Sequence, residues 1–239
     1  TVASLQNPVK LPSIKIEDPT LSIFIGPNTS PFMGREGKFV TGRHILDRIQ
    51  KELQTNIALK FRINENGQYI LSGRGELHLA VFLETLRREG FELEVGRPQV
   101  ITHIEDGVEV EPIEELTVDV EDAYIGNIKA EIGRRRGILT LQEETTPGAS
   151  RLVFEISTRG TLGLRSILLT LSKGTAVSNS IFLRYEKIGP GFQQLRKGVL
   201  VASDTGKVAP YGLNVAQTKG VTFVVPTEPV YAGMIVGMN

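Results

Sequence analysis

An α+β fold, with two βαββαβ repeats in tandem followed by a partial all-β C-terminal segment, is predicted by three observations. Between residues 18 and 187, apolar stripes at helical spacing alternate with short β-branched runs. The order strand, helix, strand, strand, helix, strand occurs there twice. From about residue 188 Gly and Pro multiply, no helical stripe survives, and short apolar runs are separated by turn residues. The predicted units are a tail or remnant of an upstream β-barrel at 1–17, repeats at 18–96 and 97–187, and a truncated β-rich segment at 188–239.

In the first repeat, LSIFIGPN (21–28) is apolar and ended by Gly26-Pro27, which predicts a strand. Ile45, Leu46, Ile49 and Leu53 then fall at helical spacing behind Thr41, a residue suited to an N-cap. IALKFRIN (57–64) alternates Ile57, Leu59, Phe61 and Ile63; ENG turns the chain, and QYILSG returns it. Leu79, Leu83 and Leu86 mark a second helix stopped by Gly90, and FELEV closes the unit. The second repeat opens on EELTVDVED, with Leu116, Val118 and Val120 on one face, followed by a helix through Ile125, Ile128 and Ile132. GILTLQEETT and SRLVFEIST flank a turn at Pro147-Gly148; a helix runs through Leu164, Ile167, Leu168 and Leu171; and TAVSNSIFLRYEKI is the closing strand. Two helices on one face of a four-stranded sheet is the ferredoxin-like arrangement. VGRPQVITHIEDGVEVEP is read as a short connection between the repeats.

Composition removes several function classes. At 239 residues, 40% hydrophobic and 23% charged, the chain has the makeup of a folded globular protein. The absence of cysteine excludes disulfides, thiol catalysis and thiolate zinc sites, and suits a reducing, cytoplasmic compartment. No run reaches the ~20 apolar residues that a membrane helix needs, and no membrane partner is expected. Lys plus Arg equals Asp plus Glu at 27 each, so a generic basic nucleic-acid binder is not indicated. The charge is uneven, however: Glu105–Asp122 holds acids and no base, whereas KAEIGRRRG (129–137) concentrates Lys129, Arg134, Arg135 and Arg136.

Catalytic and cofactor motifs are missing. Gly37-Lys38 is followed by Phe39 and Gly206-Lys207 by Val208, so neither is the GK[ST] of a phosphate-binding P-loop. His44, His78 and His103 are scattered without metal-ligand spacing, and no G-x-S-x-G elbow occurs. No catalytic residue, metal ligand or cofactor is therefore assigned to this chain. SGRGELHL (72–79) could leave free amides at a helix N-terminus for a phosphate, or could simply be a tight strand-to-helix turn. Three adjacent guanidinium groups in GRRRG (133–137) suit phosphate contact, or form a solvated helix end that complements the dipole. Arg151, Arg159, Arg165 and Lys173 are candidates to extend that basic surface.

These residues carry a resemblance. SGRGELHL is similar to the signature of domain III in translational GTPases, and residues 111–137 resemble the opening of domain V in elongation factor G. The short connection leaves no room for a domain IV. APYGLNVAQTKGVTFVVPTEPVYAGMIVGMN (209–239) resembles the C-terminal domain of the TypA/BipA family. The resemblance implies the C-terminal portion of a cytoplasmic, monomeric, ribosome-associated GTPase acting in translation, large-subunit assembly and stress adaptation. GTP and magnesium would bind upstream, in a domain this chain lacks, so no enzyme activity is expected of it. The implied partners are the ribosome, through rRNA and ribosomal proteins, and A-site tRNA. Lys129, Arg134, Arg135 and Arg136 are the implied RNA contacts, with Arg35, Lys38 and Arg43 as a second group. The rival expectations are a small-molecule regulatory module, as tandem α+β repeats often are, and an enzyme whose site is assembled only in space.

Overall fold

The computed structural model describes residues 18–191 and 198–238; the predicted remnant at 1–17 lies outside them. The chain separates into two compact units, Thr1–Phe192 and Gln193–Asn239.

The first unit contains two sheets. Strands β1 (Leu21–Pro27), β2 (Lys60–Ile63), β3 (Tyr69–Gly73) and β4 (Leu93–Val95) lie in the order β2-β3-β1-β4, with β5 (Gln99–Val100) also pairing with β1. Helices α1 (Gly42–Glu52) and α2 (Glu76–Arg88) supply Ile45, Ile49, Leu79, Phe82 and Leu86 to a core with Leu21, Ile23, Ile25 and Leu71. Thr41 caps α1 as its spacing predicted, its hydroxyl accepting from the His44 amide. The alternation over 57–64 is only partly realised. Residues 56–59 form a turn in which the Leu59 amide donates to the Asn56 carbonyl, so Leu59 is buried while Ile57 is 71% exposed.

The predicted connection is itself structured. It contains β5 and β6 (His103–Glu105) and the start of β7 (Val108–Glu121), whose 14 residues make it the central strand of the second sheet. Around it stand α3 (Ile125–Arg134), preceded by a 3-10 turn over Asp122–Tyr124, then β8 (Ile138–Thr146) and β9 (Ala149–Ser157). Next come α4 (Thr158–Thr161), α5 (Leu164–Leu171) and β10 (Val177–Lys187), giving the sheet order β10-β7-β9-β8. The predicted second helix is α5, and a short extra helix, α4, precedes it across Leu162-Gly163, where Gly163 takes φ +65°. One sheet face is covered: Leu116, Val118, Val120, Leu152, Phe154 and Ile156 pack on Ile128, Ile132, Leu164 and Leu168. In both sheets the central strands are the first and third of the repeat, with the fourth and second at the edges. This is the ferredoxin-like order that the repeated pattern predicted.

The second unit is a small β region with one helix. Strands β11 (Val199–Val201), β13 (Val221–Thr222) and β15 (Ile235–Met238) form a sheet, and β12 (Gly206–Lys207) pairs with β14 (Pro229–Val230). The all-β expectation for this segment is corrected by α6 (Pro210–Gln217), which begins with Pro at its N-terminus. None of its residues is buried, so it carries no apolar stripe for periodicity to detect.

Candidate nucleic-acid interface

The GRRRG run ends α3, and the helix divides its three guanidinium groups between interior and solvent. Glu131, itself buried, accepts from Arg135 Nε at 3.0 Å and also pairs with Arg134. Arg135 Nη1 donates at 2.8 Å to both the Gly160 and the Leu162 carbonyls, and its side chain is only 13% exposed. This departs from the expectation for Arg135: its Nε and Nη1 donors are taken by Glu131 and by the turn between α4 and α5, and its side chain is turned inward rather than presented to a phosphate. That turn also meets the first core. Leu162 packs against it, and the Gly163 amide donates to Glu76 at 3.0 Å.

Arg134 remains 60% exposed despite its bond to Glu131. Arg136 is exposed, has no intramolecular partner among the described residues, and occupies the left-handed region at φ +64°. The reason lies at its neighbour: the Gly137 amide closes on the Ile132 carbonyl at 2.9 Å, and a Cβ on Gly137 would sit 2.3 Å from the Ile132 side chain. Glycine is therefore used for the close approach, and Arg136 takes the turn, which projects it beyond the helix end. Lys129, half-buried, donates to Gln142 on β8 and forms no ion pair.

In the second group Arg35 and Lys38 lie on the loop before α1, whereas Arg43 stands in the first turn of α1 itself. All three are exposed; Arg35 stacks its guanidinium 4.0 Å from the Phe32 ring centre, and the side chains of Lys38 and Arg43 have no partner among the described residues. The loop is shaped by a residue that no local pattern marks. Glu92 accepts from the amides of Gly34, Glu36 and Gly37 at 2.7, 2.8 and 2.7 Å, and from Asn28 Nδ2 at 3.0 Å. Those hydrogen bonds, the Gly37 amide first, hold its carboxyl down at about 2. The amides beside Gly37-Lys38 are thus taken by the protein's own carboxylate.

No hydrogen bond or ion pair among the described residues joins the two groups. The proposed extensions of the basic surface are dispersed as well. Arg151 pairs with Asp119, and Arg159 with the buried Glu111; Lys173 lies 6.0 Å from the Tyr124 ring. Arg165 stays exposed and lines a cleft of about 440 Å³ between the two sheets' helices. SGRGELHL forms the opposite wall of that cleft. Here Gly73 makes room, since a Cβ would meet His78 and Leu79 at 2.9 Å. His78 Nδ1 faces the Arg74 amide at 3.3 Å and Nε2 faces Asn56 Oδ1 at 3.2 Å, an arrangement that fits a neutral ring. Burial first, and then Arg74, lower its pKa. Among the described residues no cluster of His, Asp or Glu is placed to hold a metal ion. Nor, among the described residues, is any helix long and apolar enough to cross a membrane.

The class is an elongation-factor-type C-terminal region: residues 108–195 match the family model described as elongation factor G C-terminus. Residues 197–239 match the TypA/BipA C-terminal domain. The chain is 40% identical to "Large ribosomal subunit assembly factor BipA" of Synechocystis sp., over 99% of this chain and 40% of that protein. The Escherichia coli K12 protein of the same name is 42% identical, over 100% of this chain and 40% of that protein. The Bacillus subtilis strain 168 protein, again so named, is 39% identical over 99% of this chain and 39% of its own length. The chain belongs to the TypA/BipA family, and it spans about 40% of the length of these relatives.

Proposed function

We propose that this chain is the ribosome-binding portion of a TypA/BipA translational GTPase that acts on the assembling large subunit, in translation and in stress adaptation. GTP and magnesium are handled by a part of the parent outside these residues. The reading is carried by one observation. In a chain of zero formal net charge, Lys38, Arg43 and Arg136 are among the cations that remain exposed and unpaired among the described residues, on a loop and at helix ends, while many arginines are spent on internal carboxylates. Unpaired cations on such edges neutralise phosphates without reading bases, as binding to folded rRNA requires. The relatives' printed names, which place them in large-subunit assembly, point the same way. Ribosomal proteins and A-site tRNA are the further partners of this reading, and the chain works as a cytoplasmic monomer.

Cosedimentation with purified large ribosomal subunits across a salt series tests it. Binding should weaken steeply with salt and fall further when Lys38, Arg43 and Arg136 are changed to Glu. Salt-independent binding, or binding unmoved by the triple reversal, would sink the reading.

A further inference from the structure

We propose that the open face of the second sheet is a docking surface for a basic protein segment that carries apolar side chains on either side of its cations. The strand register defines this face row by row. Ile181, Glu115, Glu155 and Ile138 are directly opposed across β10, β7, β9 and β8. Asn179, Thr117, Val153 and Leu141 form the next row, and Val177, Asp119, Arg151 and Glu143 the third. Opposed residues share a face, and these rows alternate with the ones that pack on α3 and α5, so all three look away from the helices.

The chemistry of the face selects its occupant. Apolar side chains stand at both edges, with Ile138 67%, Leu141 47%, Ile181 48% and Val177 66% exposed. The edges are about 14 Å apart, three strand spacings. Between them lie Glu115, Glu155 and Asp119 against Arg151 alone, with Glu143 on the β8 edge and Arg184 reaching in to Glu155 at 2.6 Å. Arg151 is taken by Asp119 and Arg184 by Glu155 and Glu186, which leaves Glu115 without an ion-pair partner among the described residues, while Glu143 stands opposite the already paired Arg151. A sheet that binds nucleic acid offers stacking aromatics and cations. These three rows hold no aromatic residue, and their uncompensated charge is negative, so RNA is repelled here. A lysine or arginine flanked by apolar side chains would meet Glu115 on the central strand β7 and bury the isoleucines at the rims.

The proposal goes beyond ribosome binding and is tested without ribosomes. The isotopically labelled 239-residue chain is titrated with a short amphipathic Lys/Leu helical peptide, its Glu/Leu counterpart and oligouridine, and amide shifts are followed. The Lys/Leu peptide should shift β7–β10 amides of the three rows, and Glu115→Lys or Ile181→Asp should weaken it by at least about tenfold. Unchanged core amide shifts report that each variant is folded, and Glu115→Gln, nearly isosteric, should give a smaller loss in the same direction. Oligouridine shifting these rows, peptide shifts elsewhere or none, or variants binding like the parent chain would each overturn the inference. Loss of cosedimentation with subunits while these shifts persist would instead count against the ribosome reading alone.

Discussion

At Glu92 a single carboxylate does what a sequence of loop residues cannot do for itself. Residues 28–37 contain no regular element, and their amides converge on one acceptor more than fifty positions downstream. Because the folded carboxyl titrates near 2 against an ordinary 4.5, its stabilisation is fully present above pH 4.5 and is lost as pH falls toward 2. Chemical denaturation as a function of pH should show this loss in the parent chain and a shallower one in Glu92→Gln. In that variant the Gly34 and Gly37 amides should also exchange faster at neutral pH, and ribosome binding through Arg35 and Lys38 should weaken because the loop is no longer held. His78 acts in the same direction at a higher pH. Its folded pKa lies below 6.5, so the unfolded chain takes up the proton first, and stability falls as pH drops below about 6.5. Replacing His78 by Gln should remove that part of the pH dependence, and equilibrium unfolding between neutral and mildly acidic pH checks it. Nothing local marks Glu92 in the sequence, since FELEV reads only as a strand; the pairing is tertiary and therefore illegible.

The same distinction governs α3 as an element. A cluster of three arginines was visible in the sequence, but its partition follows from helix geometry. Ile128 and Ile132 define the buried stripe, and Glu131 and Arg135, one turn apart, border it. That spacing was the available signal that Arg135 faces inward while Arg134 and Arg136 do not. Removing Arg135 leaves buried Glu131 with only Arg134 and leaves two carbonyls unsatisfied. Arg135→Ala should therefore cost about 3 kcal/mol in equilibrium unfolding. Arg136→Gly should act in reverse, stabilising the chain by about 1 kcal/mol by relieving the left-handed conformation while weakening ribosome binding. A variant more stable yet less able to bind would separate the helix stop from its function. Elements with strong stripes or alternation, such as α1, α2, β7 and β9, were legible because burial and periodicity coincide in them. The turn over 56–59 and helix α6 were not, because no apolar stripe or alternation marks either of them.

For the whole molecule the decisive quantity is charge that remains free after folding. The balance of 27 against 27 conceals how the ions are used. Arg48, Arg87, Arg88, Arg151, Arg159 and Arg184 all close on carboxylates, so their deletion changes stability or nothing, not partner binding. Lys38, Arg43 and Arg136 have no such outlet, and a phosphate reaching them displaces only water and counterions. Each one engaged on rRNA should contribute about 0.7–0.9 to the slope of log K against log salt. Single Ala variants at these three positions should lower that slope by about this amount each, and roughly additively, because no bond connects them. Arg134→Ala should lower it by less, since phosphate contact there must first compete with Glu131. Arg151→Ala should leave the slope unchanged and so serves as the control. Slopes measured by cosedimentation that track exposed arginines regardless of pairing would mean that net surface charge, rather than the free cations set out by the fold, drives the association.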